Sequence, residues 1–376
     1  MPATEGSTEH DRRVYLDTAS GEALHPAARQ SFAAALETAY ADPRRLHHAG
    51  RAARLVLDNA RAATADALGL RPDEVTFTSS GTDAVHRGLL GLHRGAERHG
   101  DTIVHTAVEH SAVLQAASWT RSPTRSIPVD AEARIDLDAL DLEDATVVAC
   151  QSANHEVGTL QPVAELAARL DGVPLFVDAC ASAGRLPLPD GWSALAASAH
   201  KWGGPPGVGI LAVRHGARWR EPFPEDDRAA ERESGFENVP AILAAAAALR
   251  AVVDERDAEC VRQHALVDRL RTVVGGLPEV EVVGSPDDRL PHLVTFSCLY
   301  VDGEALVTEL DRQGFEVASG SACTSSALEP SHVLAAMGAL THGNVRVSVG
   351  RDTTDGDVER FLAVLPGVLG DLRARL

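Results

Sequence analysis

A series of short apolar segments alternating with helix-like stretches constrains this chain most. The segments are "EVTFT" (74–78), "TIVHT" (102–106), "TVVACQS" (146–152), "VPLFVDA" (173–179), "ALAAS" (194–198) and "GVGILAV" (207–213). Between them lie "TDAVHRGLLGLHRGAERHG", "SAVLQAASW" and "VAELAARL", which read as helices. A nearly continuous apolar strand has no face to offer water, so both faces of its sheet must be covered. Helices between successive strands provide that cover and force parallel crossovers. The expected fold is therefore α/β, with a mostly parallel sheet.

Beyond residue 240 the pattern changes. Residues 241–275 are rich in Ala, Leu and Arg and read as long helices. Short strands follow at "VEVVG", "HLVTFSC" and "VRVSVG", mixed with helices at 303–313, 329–337 and 354–375, an α+β arrangement. A chain of 376 residues is long for a single core. We therefore expect a large domain over 14–250 and a smaller C-terminal domain over 251–376. Residues 1–13 form a polar tail, and the charged run 218–236 an exposed excursion.

Composition narrows the partners. A net charge of −19 repels phosphate backbones and anionic surfaces, so neither nucleic acid nor a membrane is an expected partner. No apolar run is long enough to span a bilayer. The N-terminus resembles neither a signal nor a transit segment. Cys150, Cys180, Cys260, Cys298 and Cys323 form no CxxC pair and no disulfide framework, which fits a reducing, cytoplasmic setting.

Several strand ends carry chemistry. In "SAHKWGGPPGVGIL" Lys201 follows a strand of small residues and precedes a glycine-rich run. A lysine there must be paired or used, and small neighbours leave room for an aldehyde cofactor to form a Schiff base with it. Asp178 closes "VPLFVDA", where ligands of open α/β sheets sit, and would keep a pyridine nitrogen protonated. Ser80, Gly81 and Thr82 join a strand to a helix start and could face an anion. His110 ends another strand and could stack on a ring. Arg346, alternating with valines in "NVRVSVGR", suits a carboxylate. Taken singly, each has a plain structural reading as a turn lysine, a cap or an internal ion pair. Cys323, in "ASGSACTSSALEPSH", lies among small polar residues rather than apolar ones and reads as presented rather than packed. His47, His48 and His105 make no recognisable metal-ligand set.

From "VYLDTAS" (14–20) to "VSVGRDTT" (347–354) the chain resembles the cysteine desulfurases, pyridoxal-phosphate enzymes of fold type I related to class V aminotransferases. "SAHKWGGPPGVGIL", "SGSACTSSALEPSHVLAAMG" and "NVRVSVGRDTT" carry the resemblance most specifically, supported by "FTSSGTDA", "VEHSAV", "ANHEVGTLQP", "VDACASAG" and "ENVPAI". It implies a seven-stranded, mostly parallel sheet, pyridoxal 5'-phosphate, L-cysteine as substrate, a sulfur-accepting protein and a homodimer. It also implies roles. Lys201 carries the cofactor and moves protons. His110 stacks on the ring, Asp178 pairs with its nitrogen, and Gly81, Thr82, Ser198 and His200 hold the phosphate. Asn154 and His155 lie at the cofactor. Arg346 binds the substrate carboxylate, and Cys323 is the nucleophile that becomes a persulfide. His110 or His332 would be the cation that favours its thiolate, and the sequence leaves both open.

Three positions depart from the family's pattern. Ala181 stands where a glutamine usually helps bind the cofactor's phenolic oxygen. His155 stands where asparagine is frequent, and an imidazole N–H could replace the missing amide. Phe236 stands where a threonine commonly reaches the neighbouring subunit's phosphate. Two rivals follow: a pyridoxal-phosphate C–S or C–Se lyase that does not need Cys323, and a degenerate relative acting as a scaffold.

Overall fold

The computed structural model describes residues 12–224, 232, 235–319 and 330–375. The main sheet has seven strands. In chain order they are β2 (Val75–Thr78), β3 (Thr102–Thr106), β4 (Thr124–Ile127), β5 (Ala145–Gln151), β6 (Leu175–Asp178), β7 (Ala194–Ser198) and β8 (Gly209–Val213). Their spatial order is β2-β8-β7-β6-β5-β3-β4. The pairs within β4-β3-β5-β6-β7 are parallel, and β8 runs antiparallel to both β7 and β2. The fold is thus the expected α/β one. The apolar segments became strands with ends trimmed or shifted by up to two residues. β4 was not anticipated: its sequence, TRSI, is polar because it is an edge strand with one buried residue.

Alternate side chains of the central strands enter opposite cores. Leu175 and Val177 face one with Leu195 and Ala197, under α1 (Pro26–Thr38), α2 (His48–Leu68) and the first half of α6 (Val239–Gly275). Phe176, Ala194 and Ala196 face the other, beneath α3 (Gly81–Ala96) and α4 (Ser111–Thr120). Gly88 lets α3 close on that face, since a Cβ there would lie 2.4 Å from the Phe176 ring. This period-two alternation is what burial on both sides requires.

A second, antiparallel sheet, β12-β10-β9, is built from β9 (Val280–Val283), β10 (Leu293–Cys298) and β12 (Asn344–Ser348). Around it pack α7 (Gly303–Arg312), α9 (Asp355–Arg373) and the second half of α6, with Leu266, Leu270 and Val274 in one core with Phe296, Phe361 and Leu365. The expected long helices over 241–275 are one helix, α6, of 37 residues and about 55 Å. It contributes Ala241–Leu249 to the large-sheet core and Leu266–Val274 to this one. β1 (Val14–Tyr15) pairs in parallel with β11 (Phe315–Glu316), and Val14 and Leu16 are buried in this second core. α8 (His332–Met337) packs Val333 and Leu334 on Val108 and Val157. Among the described residues, no helix is long and apolar enough to cross a membrane.

Candidate active site

The parallel strands end along one edge of the large sheet. Gln151, Asp178 and Ala196 are neighbours in register, and Ser198 lies opposite Gly209. A cavity of about 270 Å³ opens there. Of the residues singled out in the sequence, Gly81, Thr82, His110, His155, Asp178, Ser198, His200, Lys201 and Arg346 all line it. Asn154 does not: its amide nitrogen donates to Val108 O at 3.1 Å, and its carbonyl oxygen accepts from the N–H of Glu156 and Val157. Asn154 shapes the turn that presents His155. Cys323 lies outside the described residues. Phe236 is 60% exposed and does not line the cavity.

Lys201 sits on a 3-10 turn, Ala199–Trp202, directly after β7. Gly203 ends that turn at φ +76°, a conformation that suits glycine. Trp202 anchors the turn to α6 through Ala245 O at 3.1 Å. The Lys201 ammonium donates to the carbonyls of Ala19 and Ser20, the latter at 3.1 Å. Lys201 is also the only lysine in the chain, whose other basic side chains of this kind are all arginine. That signal was legible and is far sharper than strand position alone.

Asp178 is buried, and its Oδ1 accepts from the Cys180 N–H at 2.9 Å. Its carboxylate thus stands at the strand end with one main-chain donor to orient it. Cys180 itself lines the cavity, although as sequence it reads as core filler. Burial first, then Asp178, pushes its thiol well above the usual range.

At the other end, Ser80 caps α3 by accepting from the Asp83 N–H at 3.0 Å. The first turn of a helix keeps N–H groups without helical partners, and Gly81 and Thr82 bring theirs to the cavity wall. Gly81 must be glycine, because a Cβ would lie 2.7 Å from the Ser198 side chain. Ser198 Oγ and His200 Nδ1 lie 3.0 Å apart. Burial, then the Lys201 ammonium, lowers His200 to about 4. This is the environment of a group waiting for a negative ligand.

His110 caps α4, its Nδ1 accepting from the Ala112 N–H at 3.1 Å. That leaves its proton on Nε2 when neutral, and burial, ahead of the charges around it, holds its pKa below the usual value. His155 meets it edge to face at 4.9 Å. Arg346 is buried. Its guanidinium donates to Asp17, to Ser20 Oγ at 2.6 Å and to His155 O at 2.9 Å, while its Nε has no partner among the described residues. Ser20 therefore touches both cations of the site, a role nothing in its sequence context revealed.

Among the described residues, no cluster of His, Cys, Asp and Glu could hold a metal ion. His47 caps α2 through the Gly50 N–H. The donor set instead fits a pyridoxal phosphate. It offers one amine, a carboxylate at the strand end, a helix start with hydroxyls, and the His155 imidazole, whose buried Nδ1 has no partner among the described residues.

The family model described as Aminotransferase class-V matches residues 14–361. An IscS-like cysteine desulfurase of Mycobacterium tuberculosis is 37% identical, the match covering 96% of this chain and 97% of that protein. Cysteine desulfurase IscS of Dictyoglomus turgidum is 34% identical, with 96% of each covered. The solved structure of a NifS-like protein superposes with a TM-score of 0.88 at 28% identity, over 96% of this chain and all of that one.

Proposed function

The chain belongs to the class-V aminotransferase family, among the cysteine desulfurases, and from that premise we propose that it removes sulfur from L-cysteine, giving L-alanine and a persulfide on Cys323. One observation carries the reading: the only lysine of the chain shares a cavity with a buried strand-end aspartate, a helix start and a buried arginine.

Pyridoxal 5'-phosphate, when bound, supplies a conjugated electron sink that loosens the Cα–H bond of an amino acid. Lys201 would hold it and, once its amine is released, move the proton at Cα. The Ala19 and Ser20 carbonyls give that released amine a defined position. Asp178 would keep the ring nitrogen protonated, and the α3 start with Thr82, Ser198 and His200 would take the phosphate. Arg346 would bind the substrate carboxylate and His110 would cover the ring.

Cys323 as thiolate would then attack the substrate sulfur. An S–S bond forms as the Cβ–S bond breaks, the electron pair passes to carbon, and protonation there completes L-alanine. The described chain on either side of position 323 supports this role. Ala318 is bridged to Arg346 by main-chain bonds of 2.8 and 3.2 Å. His332 Nε2 lies 2.8 Å from Glu109 O, beside His110. Ala318, five positions before Cys323 in the sequence, is held by those main-chain bonds against the residue assigned to the substrate carboxylate.

Cys150, Cys180, Cys260 and Cys298 are free thiols, and a cytoplasmic setting is part of the proposal. A homodimer and a protein that accepts the sulfur complete the proposal. Mass spectrometry after incubation with cysteine tests it: added sulfur on Cys323, and its loss together with alanine formation in Cys323→Ala, is the expected result. Undiminished alanine formation by Cys323→Ala would favour the lyase. A protein that takes up no pyridoxal phosphate would favour the scaffold.

A further inference from the structure

We propose that His155 donates the hydrogen bond that fixes the phenolic oxygen of the pyridoxal ring. The inference rests on the cofactor reading above and names a positioning contact that reading leaves unfilled. The ring has three polar edges. Asp178 accounts for the nitrogen, and the α3 start with Ser198 and His200 accounts for the phosphate. The phenolic oxygen lies next to the aldehyde carbon, hence on the side of Lys201.

The cavity offers few groups for that oxygen. Ala181 lines it without a polar side-chain atom. Asn154 is fully turned away. Gln151 turns its amide nitrogen to Val108 O at 2.5 Å. Arg346 uses both terminal nitrogens on Asp17, Ser20 and the His155 carbonyl. The His110 Nδ1 accepts from the Ala112 N–H, and its ring is assigned to the face of the cofactor rather than to the edge that carries the phenolic oxygen. His155 differs. Its main chain is pinned by Arg346, its ring is set against His110, and its buried Nδ1 has no partner among the described residues. A buried ring nitrogen without a partner calls for one, and a bound ligand can supply it.

His110, Arg346, Lys201 and His332 are the titratable groups facing this ring, with Glu156 next in the chain. Burial first, and then those groups, hold His155 well below the usual imidazole range. It is therefore neutral near pH 7 and keeps one N–H to donate. A donor at the phenolic oxygen draws electron density from it and weakens its hold on the proton at Lys201 Nζ. Removing the donor should strengthen that hold.

The experiment compares cofactor-loaded wild type with His155→Phe and His155→Asn by absorbance across pH, alongside cofactor dissociation from each. In His155→Phe the pH midpoint of the visible band should rise by about one pH unit. Cofactor affinity should fall about tenfold. His155→Asn returns an amide N–H to the same position and should recover most of both. His155→Ala serves the same comparison should a phenyl ring not fit. Equal midpoints and affinities in wild type and the apolar variants would overturn the proposal while leaving the cofactor reading intact. Borohydride reduction tells the two failures apart. A wild type with no visible band and no cofactor mass fixed on its single lysine would overturn both.

Discussion

Arg185 donates from Nη2 to the main-chain carbonyl of Lys201 at 3.0 Å and pairs with Glu22 through the same nitrogen at 2.5 Å. Both side chains are largely buried. The pair therefore clamps the lysine turn from behind, against the segment whose Ala19 and Ser20 carbonyls hold the ammonium. Arg185→Met leaves Glu22 buried and uncompensated. We expect a loss of about 3 kcal/mol in urea unfolding, with Arg185→Lys less damaging.

Asp178→Asn keeps the oxygen that accepts from the Cys180 N–H and removes the charge. If that charge maintains a protonated pyridine nitrogen, the variant should still take up cofactor. Its rate of alanine formation should fall about 100-fold, as expected for losing one strong charge-assisted contact. Single-turnover kinetics on the loaded variant measure this.

Glu109 is wholly buried beneath the same edge. Its Oε1 accepts from Thr106 Oγ1 and from the Gln151 N–H, both at 2.8 Å, while Oε2 has no partner among the described residues. Burial, with Asp178 adding to it, raises its carboxyl from 4.5 to about 8. Between those values the folded chain retains a proton that the unfolded chain releases. Stability therefore falls as pH rises through that window and levels off above it. Glu109→Gln should abolish this slope. The gain should be on the order of 5 kcal/mol above about pH 8 and near zero below about pH 4.5, read from urea midpoints at the two extremes.

Gly81→Ala places a methyl 2.7 Å from the Ser198 Cβ and 2.8 Å from its Oγ. Either α3 or β7 must move, which costs about 1–3 kcal/mol. The displaced elements are those assigned to the phosphate, so cofactor affinity should drop about tenfold as well. Equilibrium dialysis of pyridoxal phosphate against the variant provides the check.

The large sheet was legible because its central strands are buried on both faces and so are apolar throughout. β4 was not, since an edge strand carries no such mark, and β1 is too short to show a period. In the site, Lys201 and Asp178 could be read from strand ends and Arg346 from within β12, where charge is conspicuous among apolar residues. Ser20 and Arg185 could not: Ser20 acts through Lys201 and Arg346, 181 and 326 positions away, and Arg185 ties Lys201 to Glu22, 163 positions back, so neither stands out locally. Asn154 misled for a related reason. Its position next to His155 is right for the cavity, but an Asx-type turn directs its side chain inward to the backbone. Cys180 misled in the opposite sense, because the turn after β6 opens it to the cavity.

The pairing of β1 with β11 sets an order of events during synthesis. Val14 leaves the ribosome about 300 residues before Phe315, and at 5–20 residues per second the interval is roughly 15–60 s. Throughout that time the segment that supplies the Ala19 and Ser20 carbonyls lacks the strand that anchors it. The lysine turn can be made with the large sheet, but its seat is finished only when the last third of the polypeptide has emerged, so a truncated nascent chain cannot assemble the catalytic pocket.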